Sequence, residues 1–460
     1  MSNLSLTPTK HLNATQQQQT IIDSTNPTVL VNAVAGSGKT ATLMMLANKY
    51  EKGIYLAFNK AIVKEVIPKL PMGWQCKTFN AFGLGIVKKH YPNSSVNFNK
   101  YVSKISGPAS ALATKHMCMN GNISMSSWES TCKHFTINNS HIIDAMKILK
   151  KGKANTSMIS GEDMLQYPID NGWKSDEFDI VLVDECQDLN PQQIAFLSCI
   201  PTKRIIFVGD AHQAIYGFRG SDPFALTKIR DMYDPFEYDM TQSFRCPKEV
   251  LKTVSRIVPN IFSTKEHGTV KHVDIHGVVF PGDCFIISRT NSSLIKLAYN
   301  FIKKNEHFSI GSAFITQVKR DLNKAFSTAE SLHDVNINLQ EAYEKELNKA
   351  RRQQWSISNI EDKYTGLLAI VKLADSAEDI KKFVKNLAMH SNSASQRKLM
   401  TIHAAKGLEN NDVYFINPGA CEHFKKQTES AWEKQQEDNL YYVACTRALQ
   451  NLTFVEKWKN

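Results

Sequence analysis

Short apolar runs alternate along this chain with segments of helical period, and the alternation occurs twice. Thr28–Val34 reads as a buried strand that ends in a glycine turn, followed by an apolar helix over Ala41–Tyr50. Ile54–Phe58 gives a second strand and Ala61–Leu70 a second helix. From about Tyr91 to Trp173 the period weakens into polar loops and helical stretches such as His141–Lys151. Strand character returns at Phe178–Val183 and Arg204–Val208, with a helix-compatible Pro191–Cys199 between them. Strands alternating with helices predict a parallel sheet covered by helices. The middle segment then reads as an insertion into one α/β unit.

The pattern restarts over Lys248–Ile261, Val270–Ile275, Asp283–Ser288 and Ser292–Lys304. A charged, largely helical block at about 316–390 interrupts it and includes Asn338–Arg352 and Glu378–Ala388. Strands resume at Lys398–Ile402 and Asp412–Asn417, and a helix at Asn439–Ala448 leads to a last strand, Leu452–Val455. The expected plan is α/β with two parallel-sheet cores, each carrying a mainly helical insertion. Residues 1–90 and 176–240 form the first core and 91–175 its insertion; 241–315 and 391–460 form the second core and 316–390 its insertion. Residues 1–10 read as a disordered lead, and Leu12–Ser24 as helix-compatible with glutamines at 16 to 19.

Composition narrows the classes. At about 150 residues per domain, 460 residues suggest about three domains. Hydrophobic and charged shares of 42% and 22% exclude a disordered or collagen-like chain. No apolar run approaches the roughly 18 residues of a membrane span, and the polar N-terminal stretch has no signal-peptide core. A soluble cytoplasmic protein, bacterial or from a virus-infected cell, with no membrane partner is the expectation. Nine cysteines without a C-x-x-C pair point away from a metal cluster or a disulfide framework. A net charge of +11 is a mild polyanion signal that needs a site to carry it.

Such a site follows the first strand. Ala33-Val34-Ala35-Gly36-Ser37-Gly38-Lys39-Thr40 opens a helix, where glycines let backbone N–H groups converge on an anion. Lys39 is placed to reach β- and γ-phosphates and the Thr40 hydroxyl to ligate Mg²⁺. The stretch from Ala35 through Gly36, Ser37 and Gly38 to Ala41 would wrap the phosphates. The first position is Ala33 rather than glycine, and a plain glycine turn before a helix is the alternative. The strand Ile180–Val183 ends in Asp184-Glu185-Cys186-Gln187-Asp188. Two adjacent carboxylates at a strand's C-terminal edge fit the ligand crevice of an open α/β sheet. Asp184 suits Mg²⁺ and Glu185 suits the attacking water, whereas an acidic loop capping the next helix is the plainer reading. Together the two segments predict nucleoside triphosphate hydrolysis, with ATP and Mg²⁺.

Further stretches follow in order: Leu12-Asn13-x-x-Gln16, Gly209-Asp210-x-x-Gln213-x-Ile215-Tyr216-x-Phe218-Arg219-Gly220, Ser243-Phe244-Arg245, Thr401-Ile402-His403-x-Ala405-Lys406-Gly407-Leu408-Glu409 and Tyr442-Val443-Ala444-Cys445-Thr446-Arg447-Ala448. The series resembles the UvrD/Rep branch of superfamily 1 helicases. The wording Ala57-Phe58-Asn59-Lys60 and Asn439–Ala444 is most similar to the F-box DNA helicase subgroup, with no F-box recognisable.

The resemblance implies two RecA-like cores. It makes Gln16 the reader of the adenine edge, Phe244 the ring stacked on adenine, and Glu409 a ribose contact. Arg245 and Arg447 become fingers to the γ-phosphate, Gln213 its sensor, and Asp210 a support of the Mg²⁺ shell. Ala41 stands where relatives often carry arginine, leaving base stacking one-sided. Tyr216, Phe218 and Arg219 would line a single-strand track, which needs aromatic faces and cations; Phe58, Asn59, Thr78, Phe79 and His403 resemble further strand contacts. The implied activity is an ATP-dependent 3′→5′ DNA helicase acting on single-stranded DNA and single/double-strand junctions. A single-strand translocase that strips recombinase or single-strand-binding proteins is the first alternative, and an ATP-gated nucleic-acid binding module the second.

Overall fold

Segments in which every residue is apolar become central strands, because a strand in a helix-covered parallel sheet is buried on both faces. The computed structural model describes residues 14–103, 106–135, 137–217, 222, 224–352, 358–387, 389, 395–428 and 430–456. The expected lead at 1–10 and the Leu12-Asn13 pair lie outside these residues. In chain order the strands are β1 Thr28–Ala33, β2 Gly53–Ala57, β3 Gln75–Thr78, β4 Ser95–Val96, β5 Met158–Ile159, β6 Ile180–Val183 and β7 Ile205–Gly209. They continue with β8 Phe236–Met240, β9 Thr269–Asp274, β10 Cys284–Ser288, β11 Ser309–Ile310, β12 Arg397–Thr401, β13 Asn410–Ile416 and β14 Ala448–Glu456.

Two six-stranded sheets result, ordered β3-β2-β6-β7-β1-β8 and β11-β12-β10-β13-β14-β9. Every pairing in them is parallel. The α/β expectation with two parallel sheets is therefore met. β2, β6, β7 and β10 are buried throughout. Edge strands β3, β8 and β11 escape the apolar-run reading, because Gln75-Cys76-Lys77-Thr78 and Phe236-Glu237-Tyr238-Asp239-Met240 carry polar residues that suit a half-exposed rim. In the first sheet β1, β6, β7 and β8 deliver the phosphate loop, Asp184, Asp210 and Ser243 to one rim, while β2 and β3 deliver Phe58 and Thr78.

The helical blocks differ in how they are held. Helices Gly107–Cys118, Met125–Phe135 and Ile142–Ala154 enclose their own cluster around Leu112, Trp128, Cys132 and Ala145. Helices Leu332–Arg352, Ser358–Leu373 and Ala377–Leu387 instead share one cluster with the second sheet, from Cys284 and Ile286 through Leu294 to Leu339, Leu367 and Phe383.

A buried ion pair fastens the first block. Lys100 Nζ meets Asp163 Oδ2 at 2.7 Å with side chains 1% and 0% exposed. Asp163 also accepts from the Tyr101 hydroxyl at 2.6 Å and from Ser160 N–H at 3.0 Å. Removing one partner strands the other charge in the interior. Asp163→Ala is expected to destabilise the fold by about 3–5 kcal/mol, measured by urea denaturation.

Candidate nucleotide and strand sites

The phosphate loop bends through Gly36 (φ 73°) and Gly38 (φ 85°), a region that glycine enters without strain. A Cβ on Gly36 would come within 2.3 Å of Arg245 Cβ, so the loop and the 243–245 segment are pressed together. Ser243 Oγ donates to Ala35 O at 2.7 Å and Phe244 N–H donates to Gly36 O at 2.8 Å. Helix Lys39–Ala47 starts directly after Gly38 with no side-chain cap, so its first N–H groups are available to an anion. Ser37 is 1% exposed and its hydroxyl has no partner. An orphaned buried hydroxyl inside a loop of converging N–H groups fits a phosphate. Lys39 Nζ lies 3.4 Å from Ala33 O.

Across from the loop, Asp184 accepts from the Tyr55 hydroxyl at 2.5 Å and from Glu185 N–H at 2.9 Å. Burial and the neighbouring Glu185 push the Asp184 carboxyl up from the ordinary range. Burial presses Glu185 the same way, yet Lys39 and Lys406 hold it lower, so Glu185 is the member kept ionised. Glu185 sits at φ 53° and accepts from the Gln187 amide. Thr40 and Asp184 carry hard oxygens of the kind Mg²⁺ would share with phosphate. No group of three or more His, Cys, Asp or Glu suits a metal among the described residues, so the phosphates would complete the shell.

The second core contributes cations. Arg447 is wholly buried, and its hydrogen bonds among the described residues go to neutral acceptors: Val443 O at 2.9 Å, Leu408 O at 3.3 Å and Thr446 Oγ1 at 3.2 Å. Burial and the nearby Arg245 lower its pKa to about 10. A guanidinium held this way beside a second cation is short of an anion. Arg245 meanwhile pairs with Glu409 at 2.6 Å, so the expected ribose contact and one expected finger hold each other. Gln213 is 5% exposed; its amide donates to Asp210 Oδ2 at 2.7 Å.

Of the glutamine run, Gln17 is spent on Thr241 N–H and Oγ1 (3.1 and 2.9 Å), and Gln18 forms a capping box with Thr15. Gln16 and Gln19 are exposed, and the Gln19 amide donates to Asp23 at 2.6 Å, so Gln16 is the exposed glutamine at the helix start, as an adenine reader needs. Phe244 is exposed too, and Ala41 half-buried.

The strand candidates divide. Phe58 stacks on Tyr216 (5.9 Å, 8°), and Tyr216 leans on His403 (6.4 Å, 35°). This ladder crosses from one core to the other. Asn59 Oδ1 accepts from Ala61 and Ile62 N–H (2.9 and 3.0 Å) and caps helix Lys60–Val66, while Thr78 Oγ1 accepts from Ala81 N–H at 3.3 Å and caps helix Phe79–His90. Phe79 is a correction. It is 1% exposed, because Phe79, Phe82, Gly83 and Ile86 form the buried face of that helix, so its ring is unavailable to a strand. Phe218 and Arg219 lie outside the described residues.

Residues without an assigned role also converge here. Lys406 Nζ crosses to the Asp188 carboxylate and to Gln213 O (2.7 Å), with its charge 4.8 Å from the Tyr216 ring. Burial pushes the Asp188 carboxyl up to about 6 although Lys406 opposes it. Lys406 stands inside the 401–409 motif, but nothing local shows a partner 218 positions away.

Residues 169–234 match the UvrD/REP helicase N-terminal domain. F-box DNA helicase 1 of Gallus gallus is 24% identical over 94% of this chain and 48% of its own length. F-box DNA helicase protein 1 of Schizosaccharomyces pombe is 26% identical over 52% of this chain and 32% of its own. The chain is thus similar to UvrD/REP helicases over residues 169–234 and to F-box DNA helicases over much of its length. Its two parallel sheets are RecA-like cores. A subunit of the ATP-dependent helicase/nuclease of Staphylococcus aureus (strain JH9) is 36% identical over 21% of this chain and 9% of its own. The chain spans about half the length of the Gallus gallus relative and about a third of the Schizosaccharomyces pombe one. No helix among the described residues is long and apolar enough to cross a membrane.

The Tyr55 hydroxyl, fully buried in the first core, holds Asp184 by a hydrogen bond. Tyr55→Phe is expected to raise the Mg²⁺ concentration for half-maximal ATP hydrolysis about tenfold, with the rate at saturating Mg²⁺ kept, as for other outer-shell partners.

Proposed function

We propose that the chain is an ATP-dependent DNA helicase that translocates 3′→5′ on single-stranded DNA and separates duplex at single/double-strand junctions. The observation that carries this reading is the buried Arg447, whose hydrogen bonds among the described residues go to neutral acceptors and whose charge interacts with Glu185 of the other core. The relatives' printed names support DNA as the polymer in F-box DNA helicase and ATP as the fuel in ATP-dependent helicase/nuclease.

In this mechanism the loop N–H groups and Lys39 hold the triphosphate, and Phe244 and Gln16 hold its base. Mg²⁺, when bound through Thr40 and Asp184, neutralises phosphate charge. Glu185, kept ionised by Lys39 and Lys406, accepts the proton of the attacking water. Gln213 orients that water. Arg447, with Arg245 once Glu409 releases it, stabilises charge on the transferring phosphoryl group, a contribution of about 10³–10⁵ in rate. Closure and release of the cores then shift the Phe58–Tyr216–His403 ladder against the strand. The setting is the cytoplasm of a bacterium or of a virus-infected cell.

The single-strand translocase that strips bound recombinase or single-strand-binding proteins is favoured as second reading by one feature. The 312–387 helices are fused into the core of the second sheet rather than standing free to engage duplex.

Lys39→Ala and Glu185→Gln are each expected to lower turnover by at least about 10²–10³ while single-strand binding survives; retained hydrolysis in both would overturn the site. Matched duplexes with a 3′ or a 5′ tail, offered with ATP at low salt, test the activity. Separation of the 3′-tailed duplex alone is expected. Separation of the 5′-tailed one alone would reverse the polarity, and DNA-stimulated hydrolysis without separation would favour the stripping translocase.

A further inference from the structure

The turn that carries Gln213 leaves β7 of the first core at Gly209, yet the second core holds it. Helix Ala431–Cys445 presents Asn439, 3% exposed, whose amide donates to Ala211 O at 3.1 Å and to Ala214 O at 2.9 Å. One turn further along that helix, the Tyr442 hydroxyl donates to Asp210 Oδ2 at 3.1 Å and accepts Ala35 N–H at 2.8 Å. Asp210 in turn holds the Gln213 amide. Lys406 clamps Gln213 O. Ile215, at the end of the turn, is fully buried in the cluster of Ile402, Leu440 and Val443. Toward its own sheet, Asp210 N–H donates to Gln187 Oε1 at 3.0 Å.

We propose that residues 210–215 move with the second core, and that Asn439 and Tyr442 are positioning residues that make the γ-phosphate sensor and Arg447 travel as one body. Arg447 follows helix Ala431–Cys445 by two positions. Any displacement of that helix by a bound strand therefore reorients Gln213 and delivers the guanidinium in the same movement. Strand occupancy is thereby converted into turnover. This rests on the ATPase reading above.

The test is steady-state ATP hydrolysis by the full chain with and without an oligodeoxythymidylate strand, for Asn439→Ala, Asn439→Asp and Tyr442→Phe. Asp keeps the shape of Asn439 but offers no donor, and Phe keeps the ring. All three are expected to lower the strand-stimulated kcat by about 10–10²-fold with the KM for ATP unchanged, the scale of a small misplacement of a reacting group. Asn439→Ala is expected to leave the unstimulated rate and nucleotide-free strand binding unchanged, which also reports a folded protein. Wild-type stimulation retained in Asn439→Asp and Tyr442→Phe would overturn the inference and leave the ATPase reading standing. A raised KM at constant kcat would overturn it too. Absence of strand stimulation in the unsubstituted chain would remove the ATPase reading and this coupling with it.

Discussion

Charge burial is the constraint from which the rest of the molecule follows. Asp184, Asp188 and Asp210, all 1–4% exposed, come from the ends of neighbouring strands of one sheet. A carboxylate in such surroundings is tolerated only when paired and hydrogen-bonded. Tyr55 and Lys39 serve Asp184 from within the first core, but Asp188 depends on Lys406 of the second. Arg447 has the converse need, a cation waiting for negative charge. Each core is thus electrostatically incomplete, and the seam between them is held by polar groups whose best arrangement depends on what occupies the phosphate loop. A seam of this kind is responsive where an apolar one would simply stay shut.

What can be read from the chain follows the range of the physics involved. Ile180–Val183 and Ile205–Val208 declare themselves as central strands because burial on both faces leaves no room for polar residues. Gly36 and Gly38 declare the loop because only a backbone without Cβ makes that turn against Arg245. Edge strands β3, β8 and β11 stay hidden, since a rim position accepts Lys77 or Glu237 as readily as valine. Phe79 is misplaced because its motif shows its neighbours in sequence, while the helix phase that turns it inward is set by Thr78 capping the next turn. Lys406–Asp188 and Asn439 with the 211–214 carbonyls are pairings over two hundred positions, which no local pattern carries.

The two helical blocks have different mechanical standing. The first closes around Trp128 in a cluster of its own, and the buried Lys100–Asp163 pair ties it to the helix whose Leu165 packs in the first sheet's core. The second has Phe383 and Leu367 in the same packed cluster as β10, and shifting it means opening that core.

Tyr216 has a geometric consequence of its own. Its ring lies nearly parallel to Phe58 with centroids 5.9 Å apart. That separation lies within the roughly 4.5–7 Å over which aromatic rings attract one another, so the contact ties the end of β2 to the turn after β7. The same ring also meets Lys406 at 4.8 Å and His403 at 6.4 Å, both belonging to the second core. One aromatic disc therefore has neighbours in both halves of the protein, and a shift of either half is felt at the same ring.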